Sequence, residues 1–284
     1  MQALVILGAG ALGHRLAAAF PGSLLLSTDI TDPYALAEAF REHKPGVVIN
    51  AAGKSGKPNV DWCETHKVAT YASNVIGPLR LAEAAGAAGA YLVHIGSGCI
   101  FYGPCPHHAG GWREDDPANP SAFYSRTKYA ADLVLSQLPA TCVARIRMPI
   151  DHTPGPRNLI TKLAKYREVI DVANSVTVVD DLVFALRRLI EIRAEGVFHV
   201  TNPGLMRHKE LLVLYRELVD PSHTTTFIKE EELVQLGLAQ KARSNAELAS
   251  PRLEALGIRL RPIDEALRDT MRAYAAHVRG SARP

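Results

Sequence analysis

No apolar stretch of this chain is long enough to cross a membrane, and its Lys and Arg residues never gather into a dense basic run. The first absence excludes membrane-spanning helices. The second, with a formal net charge of only +3, argues against an electrostatic reader of nucleic acid. Met1 to Leu7 is apolar but too short for a signal peptide, and a glycine turn follows it. It reads as a strand, and the expected location is cytoplasmic. Cysteine is scarce: Cys63, Cys99, Cys105 and Cys142 form no paired framework, as expected of reduced thiols. Cys99, Cys105, His107 and His108 stand close together, but their spacing matches no common zinc pattern and no second ligand pair follows. No metal is expected. Repeats and low-complexity segments are missing too, since the run Ala84 to Ala90 reads as a helix end. The 284 residues, 47% hydrophobic and 21% charged, suit one large globular domain or a main domain with a smaller one attached.

The amino-terminal half alternates strands and helices. Gln2 to Leu7 is β-rich and almost continuously apolar, as a strand buried on both faces is. Gly8-Ala9-Gly10-Ala11-Leu12-Gly13 follows, then Leu12, Leu16, Ala19 and Phe20 at helical spacing. Strand, glycine turn and helix in that order make a dinucleotide site from an otherwise weak pattern. The glycines let the backbone approach a pyrophosphate, and the helix amino terminus attracts its charge. Ser23 to Ser27 is the second strand, and Asp32 is placed to cap a helix beginning at Pro33. Asp29, between them, has three readings: a ribose contact that would disfavour a 2′-phosphate, an adenine contact, or a solvated carboxylate. Gly46 to Asn50 is a strand ending in Ala51-Ala52-Gly53, where a cofactor can pass close to backbone. Helical periodicity runs from Asp61 to Ala85, with a kink expected at Gly77-Pro78.

Tyr91 to Ile95 is a strand delivering Ser97 and Cys99 to its carboxyl end, where open α/β sheets bind ligands. Tyr124 and Lys128 lie four apart, on one face of a helix. A phenol is a poor acid-base catalyst at neutral pH, and a nearby ammonium is expected to lower its pKa. Ser97 can offer a hydroxyl to the same reacting oxygen. Thr141 to Arg147 is another strand, broken by Met148-Pro149. Short helices are expected over Leu159 to Tyr166 and Asp180 to Ile192, a returning strand over Val197 to Val200, and mostly helix from Pro203 onward. The expected fold is therefore α/β: a Rossmann-type doubly wound parallel sheet with a smaller, mostly helical carboxyl-terminal lobe. The dinucleotide-binding domain is placed at 1–150, with 176–202 returning to it, and the substrate lobe at 151–175 and 203–284.

Taken together these residues resemble the extended short-chain dehydrogenase/reductase superfamily. Asn50–Gly53, Gly56–Glu64, Gly98–Phe101, Arg145–Ile150 and Pro156–Lys162 resemble more narrowly the nucleotide-rhamnose synthases, which are 3,5-epimerase/4-reductases of UDP-4-keto-6-deoxyglucose. Asn174–Val178, Thr201–Gly204 and Arg243–Asn245 extend the likeness over nearly the whole chain, and dTDP-4-dehydrorhamnose reductase is a more distant relative. The resemblance implies an NAD(P)H-dependent oxidoreductase and epimerase of rhamnose biosynthesis. In it Ser97, Tyr124 and Lys128 form the reductase triad, and Cys99 with Lys162 the epimerase acid-base pair. Asn74 matches an asparagine that supports the catalytic lysine. Spacing alone reads Cys99 as a small buried hydrophobe and Lys162 as a solvated helix position; only the resemblance reverses the second.

The cofactor is expected at Gly8, Gly10, Ala11, Leu12, Gly13, Asp29, Ala51, Ala52, Gly53, Asn74, Tyr124 and Lys128. The substrate is expected at Lys57, Asn59, Arg157, Asn158 and Arg243, the arginines serving either as pyrophosphate ligands or as ordinary surface residues. Two departures stand out. The family carries G-x-x-G-x-x-G where this chain has Gly8-x-Gly10-x-x-Gly13, and Asp29 stands where relatives that prefer NADPH offer a non-acidic residue, which tilts the choice towards NADH. Tyr102 to Trp112 also differs from the family, so the sugar is open. A homodimer is expected by analogy, with neither nucleic acid nor membrane as a partner. The alternatives are a nucleotide-sugar epimerase working through a transient 4-ketone without net reduction, and a non-catalytic NAD(P) sensor.

Overall fold

The structure, a computed structural model, describes residues 3–57, 59–107, 109–237, 239–240 and 243–281. Met1, Gln2, Pro58 and His108, which enter the readings above, lie outside the described residues.

The chain divides into two compact units. The first comprises 1–100, 118–145 and 186–198; the second comprises 101–117, 146–185 and 199–284. Segments 101–117 and 176–185, which the sequence reading groups with the first domain, thus fall in the second unit.

A six-stranded sheet organises the first unit. Its strands β1 (Ala3–Leu7), β2 (Leu24–Leu26), β3 (Pro45–Asn50), β4 (Tyr91–Ser97) and β5 (Thr141–Ile146) are joined by Gly196–His199. The spatial order is β2, β1, β3, β4, β5, Gly196–His199, and β1 pairs in parallel with both β2 and β3. This is a Rossmann-type doubly wound sheet, and the order reverses between β1 and β3. Apolar residues of the strands (Val5, Leu7, Val48, Leu92, Val143) pack against Leu36, Leu81, Ala85, Ala131 and Leu135 of the flanking helices. Truncating one such leucine to alanine costs about 2–5 kcal/mol.

Local signals place the helices. Helix α1 (Ala11–Ala19) starts straight from the glycine turn, and α2 (Pro33–His43) is capped by Asp32, whose carboxylate accepts from Tyr34 N at 2.9 Å and Ala35 N at 3.2 Å. The segment expected to kink at Gly77-Pro78 breaks earlier and in several places. It runs as α3 (Trp62–Thr65), α4 (Lys67–Tyr71), a π-helical turn over Ala72–Ile76 and α5 (Gly77–Ala88). Pro78 has no N–H, and its ring crowds the carbonyl four residues back, that of Asn74. Widening the preceding turn relieves that crowding. The last helix relevant to the site is α6 (Phe123–Leu135).

The second unit packs around Ile150, Ile160, Leu163, Val176, Val178, Leu211, Leu267 and Met271. It contains the helices Leu159–Leu163, His208–Leu218 and Ile263–Ser281. Two small ladders accompany them: Glu168–Ile170 with Thr226–Ile228 in parallel, and Ala173–Asn174 with Met206–Arg207 antiparallel. Strands of two and three residues are too short to show a period, which is why the sequence reads as helix there.

Candidate active site

The glycine turn after β1 lies at the sheet's switch point. A Cβ on Gly8, which has φ +105, would come within 2.5 Å of Ala52 N, and one on Gly13 within 1.9 Å of Gly8 O. The protein's own backbone therefore requires both glycines. Gly10 is different. It is extended, precedes α1, and a Cβ there would meet nothing within 4 Å. Nothing in the protein demands a glycine at that position, whereas a pyrophosphate resting on the amino terminus of α1 would. Ala11 and Leu12 are the first residues of that helix. The residues present fit a dinucleotide.

Asp29, three residues beyond β2, is exposed and accepts from Thr31 N at 2.9 Å and Thr31 Oγ1 at 2.8 Å. Those bonds hold its carboxyl below the usual range, so it stays ionised. Arg80 in turn donates to Thr31 O.

Ser97 ends β4, buried, and its hydroxyl is hydrogen-bonded to the Tyr124 phenol. It also accepts from Cys99 N at 3.2 Å. Cys99 lies close enough to act electrostatically on the phenol, so these three side chains form one cluster. The expectation that an ammonium lowers the phenol's pKa is not met. Burial pushes Tyr124 up, Cys99 adds to the rise, and the Ser97 bond opposes it only in part. Lys128 points elsewhere. Its Nζ donates to Ile95 O at 2.9 Å and lies 3.0 Å from His94 Nε2, and burial lowers it to about 8.

His94 continues inward. Its Nδ1 is 3.0 Å from Asn50 Nδ2, and Asn50 Oδ1 accepts from Ala52 N at 3.0 Å. Asn74, expected to support Lys128, does not touch it. It exchanges both amide groups with the Lys54 backbone, at 2.7 and 3.0 Å, and donates to Thr127 Oγ1 at 3.2 Å. The π-helical turn sets that direction, anchoring the loop after Ala51-Ala52-Gly53 to α6 beside Lys128. Helix α6 has no cap of its own; Glu64 Oε1, from the Trp62-Cys63-Glu64 stretch, accepts from Phe123 N at 2.7 Å. His94, Asn50 and Glu64 were missed as functional candidates. The one visible signal was a histidine inside the apolar run Tyr91-Leu92-Val93-His94-Ile95.

Other candidates are occupied by their own chain. Asn59 Oδ1 accepts from Asp61 N at 2.8 Å, forming the turn that starts α3, while Lys57 is exposed. In the second unit Asn158 is buried. It caps Leu159–Leu163 through Ile160 N at 2.9 Å and donates to Asp151 O and Thr153 O at 2.6 and 2.8 Å. Both its N–H groups are thereby used, which makes it a structural cap rather than a free substrate donor. Lys162, on the same short helix, is half-buried; burial and the neighbouring Arg157 lower its pKa. Arg243 precedes Ser244, which binds the buried Arg147.

The RmlD substrate binding domain family matches residues 1–276. The chain belongs to this family. As an RmlD-family chain it is 40% identical over 229 residues to a bifunctional dTDP-4-dehydrorhamnose 3,5-epimerase/dTDP-4-dehydrorhamnose reductase of Arabidopsis thaliana, covering 79% of this chain and 75% of that one. It is 35% identical over 243 residues to an Arabidopsis trifunctional UDP-glucose 4,6-dehydratase/UDP-4-keto-6-deoxy-D-glucose 3,5-epimerase/UDP-4-keto-L-rhamnose-reductase, covering 84% of this chain but only 36% of that longer protein. Among solved structures it resembles a UDP-rhamnose synthase from Acanthamoeba polyphaga mimivirus, with a TM-score of 0.87 and 27% identity over 96% of this chain and 100% of that one.

Proposed function

We propose that this RmlD-family chain is an NAD(P)H-dependent 3,5-epimerase/4-reductase that turns a nucleotide-linked 4-keto-6-deoxyhexose into a nucleotide-L-rhamnose-type sugar. The observation that carries this reading is the cluster of Ser97, Cys99 and Tyr124 at the carboxyl end of β4, in a chain whose relatives bear both activities in their names.

The chemistry follows from what each group can hold. A carbonyl at carbon 4 acidifies the hydrogens at carbons 3 and 5, and a base with a paired acid can remove and return them from opposite faces. On the family resemblance Cys99 and Lys162 carry those proton transfers. Reduction of carbon 4 needs a proton on the oxygen. Tyr124 suits that task because its phenol stays protonated at neutral pH, and Ser97 orients it. The bound nicotinamide cofactor supplies hydride. Gly8, Gly10 and Gly13 would seat its pyrophosphate, and Ala51, Ala52 and Gly53 lie on the loop after β3. The ionised Asp29 supports NADH over NADPH, because a fixed carboxylate repels a 2′-phosphate. Exposed Val68, Tyr71, Ile76, Leu133 and Val134 support a cytoplasmic homodimer of the kind common in the superfamily.

Variants separate the two half-reactions. With UDP-4-keto-6-deoxyglucose, Tyr124→Phe should lose reduction by about 10²-fold or more while still exchanging substrate hydrogens with solvent. Cys99→Ala and Lys162→Ala should lose exchange. Retained reduction in Tyr124→Phe would refute the assignment. Turnover confined to dTDP or GDP sugars would move the nucleotide.

A further inference from the structure

The chain of hydrogen bonds running from the loop after β3 to Lys128 has a direction, and that direction bears on the charge of the lysine. Ala52 N–H can only donate, so the Asn50 atom facing it is the carbonyl oxygen. The other Asn50 atom is then the amide nitrogen, which donates to His94 Nδ1 at 3.0 Å. Asn50 and His94 are both fully buried. Burial, and to a lesser degree the adjacent lysine, holds His94 well below the usual histidine range, so its ring is neutral. A neutral imidazole that accepts at Nδ1 carries its hydrogen on Nε2. That N–H faces Lys128 Nζ at 3.0 Å. An ammonium has no lone pair to receive it; an amine has one.

We propose that His94 is a positioning residue, oriented by Asn50, that donates from Nε2 to Lys128 and holds the lysine as a neutral amine in the free protein. The surrounding charges agree. On its own helix Lys128 faces Asp132, which would favour the ammonium, but Asp132 is already paired with Arg145 of β5 at 2.9 Å. With a neutral Lys128 this buried group carries no net charge; a protonated one would leave an uncompensated cation. Tyr124, the other titratable group of α6 near the site, is uncharged. Protonating Lys128 would require the His94 tautomer to reverse and the Asn50 amide to turn over, breaking the bond to Ala52. The consequence for catalysis rests on the reductase reading: an uncharged amine leaves Tyr124 its proton, the one that reduction delivers to the substrate oxygen.

The test needs no substrate, so its failure is distinguishable from failure of the proposed function. The whole protein, labelled with ¹⁵N in histidine and lysine side chains, is titrated by NMR, with Lys128→Met identifying the Lys128 signal. The expected result is His94 fixed as the Nε2–H tautomer and a Lys128 midpoint no higher than about 8. Asn50→Ala frees the ring to reverse, which should raise that midpoint by about one pH unit. His94 in the Nδ1–H tautomer, or an ammonium persisting to about pH 10 in the native protein, would overturn the proposal. If Asn50→Ala does not fold, the native spectra decide alone.

Discussion

Arg147 and Lys128 are both buried basic residues, one in each unit, yet their surroundings differ in kind. Arg147 is ringed by acceptors: Ser244 Oγ at 2.9 Å, Ser244 O at 2.7 Å, and Asn174 Oδ1. Its own backbone N–H donates to Thr177 Oγ1 at 3.0 Å. A guanidinium cannot give up its proton, so a nest of acceptors fixes it as a permanent staple. It gathers three segments distant in sequence, those around Arg147, Asn174 and Ser244. Lys128 has one carbonyl acceptor and one imidazole edge, and a lysine can respond to that by losing its proton. One cation is structural and the other adjustable.

The comparison can be broken by removing each in turn, because the two losses should have opposite signs. Arg147→Met should destabilise the protein by about 3–5 kcal/mol at any pH near neutrality, since it strands buried acceptors. Denaturant unfolding measures this. Lys128→Met should instead stabilise at pH 7, by up to about 3 kcal/mol. Its folded pKa of about 8 lies below the model value of 10.5, so below pH 8 the native state bears the full cost of a buried ammonium that the unfolded chain carries freely. Between pH 8 and 10.5 the unfolded chain binds the extra proton, native stability rises with pH, and the advantage of the methionine fades. A destabilising Lys128→Met at pH 7 would put the two residues in the same class.

A smaller effect sharpens the contrast at the end of α6. Glu64→Ala removes the acceptor at Phe123 N and should cost about 1 kcal/mol of stability. It should lower turnover more than it raises KM, because it loosens the helix that carries Tyr124 without removing a binding group. Equal loss in both would make Glu64 a substrate contact.

What could be read from the sequence was what local chemistry dictates. Asp32 before Pro33 announces its cap, and Gly8 with Gly13 announces a close turn, because each acts on neighbours a few residues away. The buried bonds escaped. His94 and Lys128 are 34 residues apart, and Glu64 and Phe123 are 59 apart, so no spacing joins them. Asn74 was recognised by type, but the π-helical turn that aims it at Lys54 and Thr127 depends on Pro78 and on packing. Asn158 misled for the opposite reason: an asparagine just before a helix is a cap signal, and the resemblance drew attention to a ligand instead.

The measurement that tests the central claim most directly follows UDP-4-keto-6-deoxyglucose in deuterated water with unlabelled NADH or NADPH, by proton NMR. The proposed epimerase/reductase should place deuterium at carbons 3 and 5 and hydrogen from the cofactor at carbon 4 of a rhamnose-type product. A reduced sugar with its original hydrogens at carbons 3 and 5 would contradict the epimerase half, and exchange without any reduced sugar would contradict the reductase half.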